Sequence, residues 1–392
     1  MLDARSPLVA LLLAVSVAAA AGCSRPDGVS PPVAGESPAS SSPDTTSSAG
    51  PDLSSATPSG PPSAGSSGAS AAPVIPDPLT PTDLVTDLTS PWGIDAFDDG
   101  TFLLSERDTG RILRTTPDGG VRELGSVDAT TTAEGGLLGV TLADDESSVV
   151  AYYSTAADNR VVRMPLSGDR LGDERVLLDG IPTGTNHNGG QVRFGPDGFL
   201  YVSTGDANQG AAAQDRASLG GKILRMTADG EPAPGNPWGT VVYSMGHRNV
   251  QGLAWDDEGR LWASEFGQNH WDELNLIEAG GNYGWPTVEG KAGRSGMIDP
   301  VRVWTPADAS PSGLAYWRGS LWMAGLRGQR LWQIPVSASG DTDSPVAHWA
   351  GTYGRLRAVV SGGDAGPLVV GTSNTDRRGN PRSDDDRLLK VG

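Results

Sequence analysis

The feature that most limits what this chain can fold into is one phrase repeated six times between Trp92 and Gly392. The copies are GIDAFDDGTFLLSE from Gly93, GVTLADDESSVVAYYS from Gly139, GQVRFGPDGFLYVSTGD from Gly190, GLAWDDEGRLWASE from Gly252, GLAYWRGSLWMAG from Gly313 and AVVSGGDAGPLVVGT from Ala358. Each is an alternating apolar run, a tight turn of Gly, Asp or Pro, and a second alternating run, the signature of a β-hairpin. A third short strand usually follows, as in GRILRT from Gly110 and GKILRM from Gly221. Units recurring roughly every 45–60 residues read as blades, so the expected fold is all-β, a six-bladed β-propeller.

That architecture converts scattered residues into one site. The first strand of each blade lines the channel, so all six begin at the same rim, and each second strand returns to it. The segments before the first strands therefore meet: SPW at Ser90–Trp92, EGGLL at Glu134–Leu138, NHNG at Asn186–Gly189, GHRNVQ at Gly246–Gln251, SPS at Ser310–Ser312 and GRLR at Gly354–Arg357. The second-strand ends add Ser105-Glu106-Arg107, Asp206, Glu265 and Arg327.

The rest of the chain divides around this unit. Residues 1–23 read as a targeting segment: Arg5, an apolar stretch from Leu8 to Ala20, and Ala20-Ala21-Gly22-Cys23. The stretch is short for a bilayer span. Cys23, the only cysteine, follows glycine as in a bacterial lipobox, where it would be lipidated; an ordinary signal peptide cut among the alanines is the alternative. Residues 24–78 are dominated by Ser, Pro, Ala, Gly, Thr and Asp, too poor in bulky apolar groups to order themselves, and are expected to form a disordered tether. The propeller is then 79–392. A net charge of −18 disfavours nucleic acid and anionic lipid surfaces as partners, which leaves the membrane only through a lipid anchor. A closed propeller leaves few strand edges, so a monomer is the default.

Against that negative charge, Arg248, Arg327, Arg355 and Arg357 gather at one rim. Guanidinium groups cluster at a cost unless an anion lies between them, and their planar forks match carboxylates. Either an anionic ligand binds there or the arginines pair with Asp206, Glu134 and Glu265. His187 sits among polar residues and glycines and is the best general base of the rim, with Asp206 placed to orient it. Arg248 and Asn249 set a fork beside an amide. The glycine-rich stretches from Glu265 to Gln268 and from Gly280 to Pro286 could present backbone carbonyls to a hard cation such as calcium. Tyr283 and Trp285 are either blade packing or a wall for a planar cofactor.

The phrases EGGLLG, NHNGGQVRFGPDGFLYVSTGD, GKILRM, GHRNVQGLAW, DELNLIEAGGNYGWP and GRLRAVV resemble the soluble quinoprotein aldose/glucose (sorbosone) dehydrogenases, over about Leu84 to Gly392. The resemblance implies a six-bladed propeller holding pyrroloquinoline quinone (PQQ), a flat tricarboxylate, with calcium against the quinone. It implies His187 as general base with Asp206 beside it, and Arg248 and Asn249 on the quinone. Arg355 and Arg357 would hold its carboxylates, and the carbonyls of Gly267 and Gln268 the calcium. Tyr283 would be a cofactor-site aromatic and Trp304 a wall of the sugar pocket. The implied reaction oxidises an aldose at C1 to a lactone and passes electrons to an external acceptor. The sequence departs from the family pattern at Glu134 (glutamine in some members), Arg327 (lysine), Asn186 (aspartate) and Gln268 (proline). A catalytically silent surface propeller and a calcium-dependent propeller lactonase are the competing readings.

Overall fold

The computed structural model describes residues 74–392; the targeting segment, Cys23 and the expected tether up to residue 73 lie outside the described residues. Residues 74–78 are placed. Ile75 lies against the core shared by blades five and six, and the Arg318 guanidinium donates to the Val74 carbonyl at 2.7 Å.

Six antiparallel sheets form the six expected blades. Their innermost strands are Pro91–Ala96, Leu137–Leu142, Val192–Phe194, Val250–Trp255, Pro311–Trp317 and Leu356–Ser361. The hairpins pair in the register that the repeats imply, for instance Leu253 with Ala263 and Ala254 with Trp262 in blade four. Blade two carries an additional two-residue strand, Arg170–Leu171. The third strands follow where GRILRT and GKILRM place them, at Arg111–Thr115 and Lys222–Met226.

Outermost strands were not legible. Val121–Ser126, the fourth strand of blade one, buries only Leu124, so it has no apolar alternation to read. The fourth strand of blade six is Thr82–Val85, which comes from the other end of the domain. It pairs antiparallel with Leu388–Val391, Thr82 opposite Lys390 and Asp83 opposite Leu389. One blade thus joins both ends of the propeller and closes the ring.

The glycine that opens most of the repeats has a steric reason. A Cβ on Gly139 would stand 2.3 Å from the Gly190 carbonyl oxygen of the next blade, and one on Gly252 would stand 2.5 Å from that of Ser312. Inner strands of adjacent blades touch through their backbones there, which only a residue without a side chain allows. Behind them, the blades pack through clusters that include Trp262, Trp317 and Trp322, all fully buried. Each such side chain contributes on the order of 2–3 kcal/mol of burial free energy. The single helix among the described residues, Gly210–Gln214, is a loop element near the rim. No described helix is long and apolar enough to cross a membrane.

Candidate active site

His187 lies on the connection into the third inner strand with φ at +58°, a left-handed backbone that a non-glycine residue keeps only when its surroundings hold it. Three bonds do so. Its N–H donates to Glu134 Oε2 at 3.0 Å, its carbonyl accepts the Ala207 N–H at 3.0 Å, and the Gly189 N–H next to it donates to Asn249 Oδ1 at 2.9 Å. Asn249 therefore buttresses the histidine turn from the neighbouring blade.

The imidazole is clamped on both nitrogens. Nδ1 lies 2.8 Å from Asp206 Oδ1 and Nε2 lies 2.8 Å from Arg248 Nη2. A guanidinium can only donate, so Nε2 must be the acceptor and Nδ1 must carry the proton towards Asp206. That is the tautomer of a neutral base whose lone pair sits on Nε2. Asp206 also accepts the Trp285 indole N–H at 2.8 Å and the Asn208 N–H at 2.8 Å. Burial alone would raise its pKa, but the bonds from His187 and Trp285 outweigh it and hold the carboxyl below the usual carboxylate range. Asp206 therefore stays ionised at neutral pH. This stabilisation is complete above the ordinary carboxylate pKa and is lost only as pH falls through the lowered one. Loss of activity between pH 7 and 5 is not expected to come from Asp206.

Trp285, which the sequence allows as packing or a wall, supports Asp206. Its loop is held by the Gly210–Gln214 helix, where Gln214 Nε2 donates to the Trp285 carbonyl at 2.6 Å. Buried Lys222 in turn donates to the carbonyls of Ala212, Ala213 and Gly220 at 2.7, 3.1 and 2.7 Å. Burial pulls its pKa down to about 8.

Arg248 is half-buried, with its guanidinium 5.4 Å from the Trp285 ring. Nη1 reaches the Phe266 carbonyl at 3.3 Å, and buried Nε finds no acceptor among the described residues. Desolvation lowers its pKa against the opposing pull of Asp206 and Glu265. Glu265, expected at the rim, turns into the wall instead: it accepts the Arg248 N–H, and its Oε2 lies 2.9 Å from His247 Nδ1.

Beside this cluster the channel opens into a cavity of about 640 Å³, counting the space open to solvent at its mouth. Glu134 and Phe266, both in contact with the histidine–arginine cluster, form part of its wall. Arg107, Arg327, Arg355, Arg357 and Arg378 line it too. The alternative pairing of the four rim arginines with Asp206, Glu134 and Glu265 is not the one found. Arg355 Nη2 donates to Asp376 Oδ2 at 2.9 Å, and Arg357 Nη2 stands 3.5 Å from the same oxygen. Arg107 pairs with Asp108 at 2.7 Å and Arg378 with Glu134 at 2.8 Å. Exposed Arg327 has no ion-pair partner among the described residues. Five guanidiniums thus face three carboxylates, a local surplus of positive charge in a chain of −18. Burial, with Arg107 and Arg355 nearby and Asp376 opposing, pushes Arg357 down to about 10. Arg378 answers the departure at Glu134: burial raises that carboxyl, but the His187 N–H and Arg378 bring it below its usual value.

Of the residues expected on the cofactor, Arg248, Asn249, Tyr283 and Trp304 are not in this cavity's lining. Tyr283 stacks on buried His247 at 4.7 Å, and its hydroxyl donates to the Leu276 carbonyl at 2.7 Å. Trp304 lies in the core between blades four and five, 5.9 Å from Trp332. The cavity's indole is Trp92, with the Arg357 guanidinium 5.9 Å from its ring. Asp376 and Arg378 went unread although they follow the second strand of blade six, the same position that pointed to Asp206 and Arg327.

The Gly267–Trp271 loop borders the Arg248 side. Its Gly267 N–H donates to Asp272 Oδ1 at 2.9 Å. The carbonyls of Gly267 and Gln268 accept no hydrogen bond from described residues. No described group of three or more His, Cys, Asp or Glu is placed to hold a metal.

Comparison with known proteins agrees with this geometry. Residues 88–380 match the family described as Glucose / Sorbosone dehydrogenase. The PQQ-bound form of an aldose sugar dehydrogenase from Streptomyces coelicolor is 52% identical, with a TM-score of 0.76 over 79% of this chain and 96% of its own. The apo-form of the soluble aldose sugar dehydrogenase from Escherichia coli is 27% identical, with a TM-score of 0.71 over 80% of this chain and 99% of its own. Quinoprotein glucose dehydrogenase B of Acinetobacter calcoaceticus is 32% identical over 255 residues, 54% of this chain and 53% of that protein, so the match spans about half of it. With its repeats, its ring of blades and its histidine–arginine rim all in place, the chain belongs to the glucose/sorbosone dehydrogenase family and is an enzyme of the quinoprotein aldose sugar dehydrogenase type.

Proposed function

We propose that this protein oxidises aldose sugars at C1 to lactones, using PQQ and calcium. The observation that carries the reading is the Asp206–His187–Arg248 chain beside a cavity rich in arginine. The residues suit the cofactor: surplus guanidinium charge matches a tricarboxylate, and the unsatisfied Arg248 Nε has a donor to spare for an oxygen. Arg327, Arg355 and Arg357 would hold the carboxylates, while Arg248 and the Gly267 and Gln268 carbonyls would face the quinone and the cation. When bound, the quinone supplies the two-electron acceptor, polarised by the cation.

The remaining work is done by the protein. The anomeric hydroxyl replaces the Arg248 Nη2–H at His187 Nε2, which then takes the hydroxyl proton, with Asp206 stabilising the imidazolium that results. Arg248 holds the imidazole in line before the sugar arrives and afterwards keeps positive charge where oxyanion character develops. Asp206→Asn removes the charge and allows the other tautomer. Its turnover is expected to fall about 10²- to 10⁴-fold with little change in cofactor affinity. Equal turnover in stopped-flow dye reduction would remove Asp206 from the mechanism.

The direct test adds PQQ and calcium to the purified chain and follows dye reduction with several aldoses. No turnover with any of them, despite cofactor binding, would favour the silent-propeller reading. The lactonase reading needs a carboxylate and amide ring around its metal without paired arginines, and Arg355 and Arg357 both line this cavity.

The amino-terminal segment supports an extracytoplasmic enzyme anchored through lipid on Cys23. Cys23→Ala is expected to move the protein from the membrane fraction to the soluble one. Retention of the variant in membranes would overturn the anchor.

A further inference from the structure

Glu289 Oε1 accepts four consecutive backbone N–H groups, those of Gln268 at 2.7 Å, Asn269 at 3.0 Å, His270 at 3.0 Å and Trp271 at 3.1 Å. In a planar trans peptide the N–H and C=O point in opposite directions. Each N–H aimed at Glu289 therefore turns the preceding carbonyl away from it. The carbonyls of Gly267, Gln268, Asn269 and His270 all face outward from the carboxylate, and none accepts a hydrogen bond from a described residue. The loop is drawn tight around this oxygen. A Cβ on Gly267 would stand 1.8 Å from the Trp271 carbonyl oxygen and 2.8 Å from Glu289 Oε1.

Both ends of the arrangement are anchored to the blades. Asp272 takes the Gly267 N–H on one oxygen and the Ser310 N–H, from blade five, on the other at 2.6 Å. The Gly290 N–H, next to Glu289, donates to Glu273 Oε1 at 2.7 Å. Glu289 is thus a fixed peg about which the loop is wound.

We propose that Glu289 is a positioning residue for the cation: it gathers the loop's N–H groups inward so that the Gly267 and Gln268 carbonyls are held outward as ligands. This rests on the reading that those carbonyls bind calcium. Without the peg, four N–H groups lose one charged acceptor, and the loop can rotate its peptides to satisfy them elsewhere. The carbonyls would then have to be ordered at the moment of metal binding. Groups that orient metal ligands typically change affinity by about 10- to 100-fold when removed.

The test titrates calcium into the chelator-stripped full chain, with and without PQQ, by calorimetry, and measures amide exchange of residues 268–271. Glu289→Ala is expected to weaken calcium by about 10- to 100-fold and to speed exchange of those amides on the order of tenfold or more. Glu289→Gln keeps an oxygen for the N–H groups, so its amides are expected to stay protected and its affinity to fall less. Should the alanine variant not fold, Glu289→Asp, one methylene shorter, is expected to show the same two losses. A parent chain that does not bind calcium overturns the metal reading and, with it, this role. A parent that binds calcium, beside an alanine or aspartate variant with unchanged affinity or unchanged amide exchange, overturns the role of Glu289 alone.

Discussion

His187→Ala is expected to lower aldose turnover by about 10³-fold, within the range for loss of a general base, while PQQ affinity stays within a fewfold of the parent. The structure makes the two effects separable. Without the imidazole, Asp206 keeps its bonds from the Trp285 indole and the Asn208 N–H, so the buried carboxylate is not orphaned. The turn is held through its backbone N–H and carbonyl groups, including the Gly189 N–H to Asn249 Oδ1, and not through the imidazole. His187→Gln adds a control. Its amide can accept from Arg248 but cannot take up a proton, so it is expected to be as slow as alanine. Dye reduction at saturating cofactor reads the first effect, and fluorescence titration of PQQ the second. If the glutamine variant turns over like the parent, proton transfer to residue 187 is not part of the reaction.

Removing Arg355 and Arg357 together is expected to weaken PQQ by at least about 10³-fold, since buried charge-assisted contacts are each worth roughly 2–5 kcal/mol. The double alanine variant has a structural cost as well. Asp376, 3% exposed, would lose both guanidiniums, and an uncompensated buried charge costs roughly 3–5 kcal/mol. Adding Asp376→Asn relieves that cost, so the triple variant is expected to recover stability and not affinity. Recovery of both would mean that the arginines serve only Asp376.

Much of this was legible because a propeller repeats its address system. Position in the repeat located His187, Arg248, Asn249, Arg355 and Arg357 at one rim, since each stands just before an inner strand. Asp206 followed from the end of a second strand. The same rule applied to blade six reaches Asp376 and Arg378, which complete the charge balance of the cavity. Aromatic rings next to a site serve packing and binding equally well in sequence; the structure shows Tyr283 stacked on His247, in the wall of a small pocket with Arg248 and Gly267, and Trp304 against Trp332. Outer strands escaped because they are exposed on both faces, Val121–Ser126 burying only Leu124, and so lack the alternation on which strand reading depends.

The blade count, the order of strands within each hairpin and the rim on which the chemistry gathers were determined by the sequence itself, because period-two patterning and its recurrence are local properties of the chain. Which acid answers which arginine was decided only by the tertiary structure. So were the tautomer of His187, the peg at Glu289 and the closing of blade six by Thr82–Val85. Those depend on a few ångströms between residues up to some 300 positions apart, and no local pattern encodes such distances.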